Sequence, residues 1–308
     1  DSFMDLSYEL SPLVTLITPG RFLFNAGSTP KGWNKKMLND KHLKVILYQQ
    51  DSSVIFPRTD IKGGVAITLR DKSKNIGPIG TFTMFDELNS ILSKVTPALV
   101  NSNLSDIIYN QNKFNLDVLN SRVPGANRTD KRLESNIFSK FDIFHVEKQS
   151  NNDVKILGLI DNKRVYRYVD KDFLDLSHPN LYKYKVLLPK SNGSGALGER
   201  LSTPLIGEPL IGYTRTFLGI GAFDNINEAK AAMKYVKSKF ARALLGVLKI
   251  TQDNNPEKWS KVPVQDFTSN SDIDWSKSIS EIDQQLYRKY GLSEDEINFI
   301  ETKVQEMK

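Results

Sequence analysis

The sequence contains no cysteine. That excludes disulfides, thiolate zinc sites and thiol catalysis together, and it fits a reducing compartment. Histidine is nearly as scarce: His42, His145 and His178 stand too far apart in sequence to suggest a metal site, and each reads as an ordinary surface or core residue. No apolar run approaches the ~20 residues needed to span a bilayer. No basic-then-apolar segment opens the chain, so nothing points to secretion, and the expectation is a soluble cytoplasmic protein with no membrane partner. The chain begins on Asp1 rather than Met, which reads as a piece of a longer protein.

What is present describes a globular protein of one large or two ordinary domains. The 308 residues are 39% apolar and 25% charged, enough to bury a core. Lys and Arg outnumber Asp and Glu by 42 to 36, giving +6 and a pI near 9.1, a modest excess compatible with a polyanionic partner.

The most informative stretch is Asp51 to Arg70. Pro57 restricts the backbone before it, so Phe56 is expected to be extended. Gly63 and Gly64 permit a tight corner, and the run Val65 to Leu69 that leaves it is strand-like. Phe56 is then either an aromatic presented from a loop or a ring packed against a strand end.

Upstream, Phe3, Leu6 and Leu10 share the spacing of one helical face. The unbroken apolar run Leu13 to Ile17 predicts a strand buried on both sides of a parallel sheet. A short helix over Trp33 to Asn39, a strand over His42 to Tyr48 and a third over Gly64 to Arg70 complete the closing half of an α/β sheet. This stretch has no GxGxxG, no GxxxxGKS/T and no acidic end to a first strand.

Residues 85–124 are polar and Asn-rich, with a helical piece from Leu88 to Val95, and the loop Val123 to Asn127 suggests a domain boundary. Thr129 to Phe141 reads as a helix. Val154 to Ile160 and Val165 to Val169, separated by Asp161-Asn162-Lys163-Arg164, predict a hairpin. In Tyr182 to Leu187 the alternation predicts tyrosines on one face and lysines on the other. Lys190 to Gly195 reads as flexible, and short strands are expected between Pro204 and Ala222. One long helix is predicted from Ile226 to Ile250, its apolar stripe running from Ala229 to Val247 and Lys230, Lys234 and Lys237 on a solvated face. Asn225 with Glu228, Ser278 with Glu281 and Ser293 with Glu296 have capping-box spacing.

Taken in order, these stretches resemble the C-terminal portion of adenine-specific DNA methyltransferases, in particular fused restriction–modification enzymes of the γ motif order. The resemblance is carried by Val14 to Leu23, Ser53-Val54-Ile55-Phe56-Pro57 with Asp60 to Val65, Tyr182 to Val186, Ile220 to Phe223 and Lys239 to Arg242. Trp259 to Pro263, Asp272 to Trp275, Ile282-Asp283 and Tyr290-Gly291-Leu292 continue it, so it covers nearly the whole chain.

The resemblance implies an α/β half-domain over 1–124, the C-terminal strands of a Rossmann-like methyltransferase sheet. It implies an α+β target recognition domain over 125–270 and a helical C-terminal tail over 271–308. Phe56 would stack on a target adenine flipped from double-stranded DNA. Lys163, Arg164, Arg167, Lys183, Lys185, Lys190, Arg200 and Arg215 are the DNA-binding candidates, each open to the alternative of a solvated strand or turn charge.

The family's NPPY tetrapeptide and its strand end for S-adenosylmethionine are absent from this sequence, and no PD-(D/E)xK nuclease motif stands in a convincing context. The resemblance therefore implies a bacterial parent enzyme that uses S-adenosylmethionine, with Mg²⁺ only if a nuclease lies upstream. The piece itself is expected to bind no cofactor and to be inactive alone. Its partners would be the missing N-terminal half and a second copy, and its incomplete sheet is expected to be covered either by the tail helices or by dimerisation. The rival reading is a free-standing DNA-binding specificity or scaffold subunit without enzymatic activity. An unrelated α/β enzyme lacks support, because the sequence reads as having no phosphate loop, cysteine, histidine cluster or triad spacing.

Overall fold

The computed structural model describes residues 2–24, 29–59, 61, 63–249 and 252–307. By contacts the chain divides into two compact units, Asp1–Ser90 and Ile91–Lys308. No helix among the described residues is long and apolar enough to cross a membrane.

The first unit comprises α1 (Ser2–Leu10), β1 (Leu13–Pro19), α2 (Lys31–Leu38), β2 (Leu43–Gln49) and β3 (Val65–Asp71). Its sheet has the order β1-β3-β2 and both pairings are antiparallel, with Ile17 and Leu47 each opposite Ile67. The run from Leu13 is therefore not a strand of a parallel sheet. Its residues alternate: Leu16 packs on the core, while Leu13 and Ile17 are 58% and 52% exposed. The core lies on the Leu16 side, where Met4, Phe22, Leu23, Met37, Leu43 and Ala66 are buried. Phe24 sits edge-on to Tyr48 and Phe82 there, with centroids at 5.2 and 5.6 Å. The spacing of Phe3, Leu6 and Leu10 does make one helical face, but that face is exposed and α1 buries Met4 instead.

The helix α3 (Asp86–Leu99) carries the chain through the division between the units. The second unit continues with β4 (Ile108–Tyr109), α4 (Leu116–Arg122), β5 (Asp153–Ile160), β6 (Lys163–Asp170) and β7 (Tyr184–Pro189). Three short strands follow, β8 (Leu205–Gly207), β9 (Ile211–Tyr213) and β10 (Phe217–Phe223). The helices α5 (Ile226–Lys237), α6 (Lys239–Gly246), α7 (Ile279–Lys289) and α8 (Glu294–Lys303) close the chain. One sheet runs β4-β10-β7-β8 and another β6-β5-β9, in which β5 and β9 are parallel.

The hairpin β5–β6 turns on two residues, Asp161 and Asn162, both at positive φ (50° and 59°), the geometry that matches strand twist. Phe114 and Leu119 share a core with Leu133, Ile137, Val154 and Ile156, so residue 124, expected as a domain boundary, falls inside the second unit. The tail helices α7 and α8 pack on α6 within the same unit.

Two helix predictions fail for reasons of long-range bonding. Thr129 to Phe141 forms no α-helix; it is irregular chain with turns and one 3-10 turn at Ile137–Ser139. Its carbonyls are taken by distant amides: Phe114 donates to Lys131 (2.6 Å) and Arg215 to Leu133 (2.7 Å), while the Leu133 amide donates to Asn112 (3.1 Å). The long helix from Ile226 breaks at Ser238, which is extended (φ −58°, ψ 149°) and starts α6 by accepting from the Ala241 amide. Asp283 of α7 accepts the Lys239 and Phe240 amides at 3.0 and 2.9 Å, satisfying donors that a helix start leaves open. Burial pushes that carboxyl up to about 6. Lys234 is not solvated either. Its ammonium donates to the carbonyls of Trp275, Ser276 and Lys277, tying α5 to the loop before α7.

Candidate nucleic-acid interface

Phe56 sits after a 3-10 turn, Ser52–Val54, that Asp51 caps by accepting the Ser53 amide. The Phe56 amide donates to the Ser52 carbonyl (2.8 Å), and its carbonyl accepts from Thr59 Oγ1 (2.6 Å). Buried Ser52 braces the loop from inside, donating to the Thr59 carbonyl (3.0 Å) and accepting the Ile61 amide (2.8 Å). Phe56 is 40% exposed beside Val54 at 66%. A fixed backbone thus carries an accessible aromatic face. The corner behind it is tight. Gly63 and Gly64 have φ of 87° and 67°, the Gly64 carbonyl accepts from Gly20 (2.9 Å), and Tyr48 donates to the Gly63 carbonyl (3.2 Å).

The eight basic candidates do not form one surface. Lys185 is fully buried: its ammonium donates to the carbonyls of Asn180 (2.8 Å), Lys183 (2.9 Å) and Glu208 (3.0 Å), with Leu181 at 3.4 Å. It is a structural cross-link and not a DNA contact, and burial pushes it down to about 7. The expected facing pattern of Tyr182 to Leu187 fails with it, because β7 is buried from Lys185 to Leu188 while Tyr182 is half exposed. Lys183 is ion-paired to Asp224. Arg167 donates to the neighbouring Tyr166 carbonyl (2.9 Å), and Arg164 lies 6.0 Å over the Phe217 ring. Lys163 is exposed at the hairpin turn and Arg200 is exposed in the loop before β8.

Lys190 and Arg215 are brought together. The Lys190 amide donates to the Thr216 carbonyl (2.8 Å), and its ammonium reaches Asn110 Oδ1 (3.3 Å). Burial lowers the Lys190 ammonium. Nearby Arg215 and Arg132 add to this, and Glu257 and Asp253 oppose it. Asn110 and Arg132 carried no sequence signal, since they join the pair through folding alone.

Residues Lys190 to Gly195, expected to be flexible, are pinned. Within them begins a glycine pattern, Gly193-Ser194-Gly195-Ala196-Leu197-Gly198. No helix follows it; its amides hold an internal carboxylate instead of a phosphate. Glu199 accepts from the Ser194 amide (2.8 Å), Ser194 Oγ (3.2 Å) and the Gly195 amide (3.0 Å), and pairs with Lys249. Burial alone would raise this carboxyl, but Lys249 and the two amides hold it down at about 2. A group depressed in the folded state contributes stability above its unfolded value near 4.5, and loses it as pH falls towards 2. Glu199→Gln is expected to speed amide exchange at Ser194 and Gly195 by ~10-fold at neutral pH. Unchanged protection would show that the loop is held by something else.

Among the described residues, no group of three or more His, Asp or Glu is placed to hold a metal ion.

The similarity to a known protein family lies at the start of the chain. No curated protein sequence matches it. Among solved structures, the type IIG restriction endonuclease BpuSI aligns with a TM-score of 0.35 and 9% identity, over 95% of this chain and 47% of that one. The chain thus spans about half the length of that enzyme. Residues 2–56 match the family model described as Eco57I restriction-modification methylase, a stretch running from α1 through β2 to Phe56, so this part of the chain is related to restriction–modification methylases.

Proposed function

We propose that the chain is the DNA-recognition and target-adenine-binding portion of a site-specific adenine-N6 DNA methyltransferase, within a combined restriction–modification enzyme. The match of residues 2–56 to a restriction–modification methylase carries this reading. The parent would transfer a methyl group from S-adenosylmethionine to the exocyclic amine of adenine. Phe56 offers its exposed ring to the flipped base, whose lost stacking an aromatic face offsets. The second unit chooses the site.

The residues present do not fit S-adenosylmethionine. The sequence has neither NPPY nor the glycine-containing strand end, so on this reading both would lie elsewhere in the parent and no residue here is assigned to the cofactor. Mg²⁺ enters only with an upstream nuclease. Exposed Leu13, Ile17 and Leu47 on the outer side of the first sheet support that half as the natural cover for this unit, with a second copy of the piece as the substitute.

Selection from random duplexes at several salt concentrations tests the reading. An enriched sequence with a shallow salt slope is the expected result; sequence-blind binding that vanishes with salt would sink it. In the full-length parent, Phe56→Ala is expected to lower methyl transfer by ~10- to 100-fold, the worth of one base stack, with site-specific binding kept. Unchanged methylation would remove Phe56 from the mechanism.

A further inference from the structure

We propose that Arg215, Lys190 and Asn110 form one seat for a backbone phosphate of duplex DNA on the second unit. The seat rests on the DNA-recognition reading above and names where that unit grips the polyanion.

The geometry is that of a braced platform. Arg215 is the second residue of a turn closed by the Phe217 amide on the Thr214 carbonyl (3.0 Å). The turn is held on three sides: Thr214 donates to Leu157 (2.9 Å), Arg215 to Leu133 (2.7 Å), and Lys190 to Thr216 (2.8 Å). Arg215 is exposed and makes no ion pair among the described residues. Exposed Asn110 comes from a fourth segment and is fixed at both ends. Its carbonyl lies 2.9 Å from His178 Nε2, which must carry the proton there, and its side-chain oxygen accepts from Lys190 (3.3 Å). His178 is in turn wedged edge-on between Tyr109 and Tyr213, with ring centroids at 6.4 and 5.8 Å.

Arg215 and Asn110 are exposed and Lys190 is half-buried, and the arrangement brings three kinds of donor to one place: the Arg215 guanidinium, the Lys190 ammonium and the Asn110 amide nitrogen. Two cations are held near one another by backbone bonds, so an acceptor-only anion between them relieves repulsion as well as filling donors. A rigid backbone also means little ordering entropy is lost on contact. Arg132 stands nearby but is already neutralised by a bidentate pair with Asp130 (2.7 and 3.0 Å), so it flanks the seat without belonging to it. Asp253 and Glu257 are close enough to offset part of the charge, which favours a single phosphate over a broad basic track.

Titration of a fluorescent random-sequence duplex with the 308-residue chain, repeated across salt concentrations, tests this. Arg215→Ala and Lys190→Ala are each expected to weaken binding ~5- to 10-fold at low salt and to reduce the salt slope by ~1. Asn110→Ala should weaken binding with the slope unchanged, because no charge is lost. Asn110→Asp, which brings an acceptor and a negative charge, should weaken it further. Lys277→Ala, an exposed lysine in the loop before α7, serves as the charge control and should bind like the parent chain. Circular dichroism and melting of each variant separate lost contact from lost fold, and Arg215→Lys should keep the slope if the contact is to phosphate.

Variants that bind as tightly as the parent chain with the same slope would overturn the seat and leave DNA recognition standing. Weakening by Arg215→Ala and Lys190→Ala but not by Asn110→Ala would overturn the three-residue seat. A parent chain that binds no duplex would overturn the functional reading and the seat together.

Discussion

Replacing Lys185 with methionine is expected to destabilise the second unit by about 3–5 kcal/mol, the scale of breaking a buried charged interaction. The side chain is fully buried and donates to carbonyls on both sides of β7, from the Asn180 turn to Glu208 before β9. Methionine fills comparable space but offers no donor, so those carbonyls stay out of water with a bond unmade, each such group costing ~1–3 kcal/mol. The readout is the urea midpoint of the chain at pH 7, with intrinsic fluorescence as the probe. A loss below ~1 kcal/mol would show that the carbonyls find water instead.

The same variant exposes a pH dependence. Burial lowers Lys185 to about 7 against 10.5 unfolded. Between those values the unfolded chain holds the proton and the folded chain does not, so stability from this group rises with pH through that window. The penalty for carrying the charge is fully present below about 7. The gap between the parent chain and Lys185→Met should therefore widen from pH 7 to pH 10, and a constant gap would show that the carbonyl ring keeps the ammonium charged throughout.

Gly64→Ala is the second large effect, expected to cost the first unit about 2–4 kcal/mol from left-handed backbone strain and overpacking together. At Gly64 φ is +67°, and an added Cβ would lie 2.6 Å from the Gln49 carbonyl oxygen and 2.8 Å from the Tyr48 hydroxyl. Neither neighbour moves freely, since Gln49 is in β2 and Tyr48 is packed between Phe24 and Phe82. Gly77→Ala is the matched comparison: φ is +81° with nothing within 4 Å, so it carries the strain alone, ~1 kcal/mol. Thermal unfolding of both variants separates the contributions. Equal shifts would mean that the corner yields, and then the loop carrying Phe56 is less rigid than its bonds imply.

The candidate site was legible in part. The Phe-Pro loop and the glycine corner could be read directly, because Pro57 and two adjacent glycines limit the backbone by themselves. The basic candidates were legible as a composition and not as a surface. Lys185 and Lys190 are five residues apart on one segment, yet one is sealed under carbonyls and the other meets Arg215 and Asn110. Residue type gives a charge; which charges share a face depends on pairings between segments up to about a hundred residues apart, such as Tyr213 with Asn112.

The sequence by itself determined what local backbone chemistry controls. The capping boxes Ser278–Glu281 and Ser293–Glu296 form as spaced. The β5–β6 hairpin turns at Asp161-Asn162, residue types that tolerate positive φ. Only the tertiary structure decided the rest. The stripe from Ala229 to Val247 has helical period throughout, with no proline or glycine between Ile226 and Leu245, yet it breaks at Ser238. The break exists because Asp283, forty-five positions after it, supplies two acceptors to amides that a continuous helix would have kept for itself. Thr129 to Phe141 likewise gives its carbonyls to Phe114 and Arg215. Backbone groups bond wherever the folded chain presents a partner, and local propensity, worth tenths of a kcal/mol per residue, yields when burial would otherwise leave a donor or acceptor unpaired at ~1–3 kcal/mol.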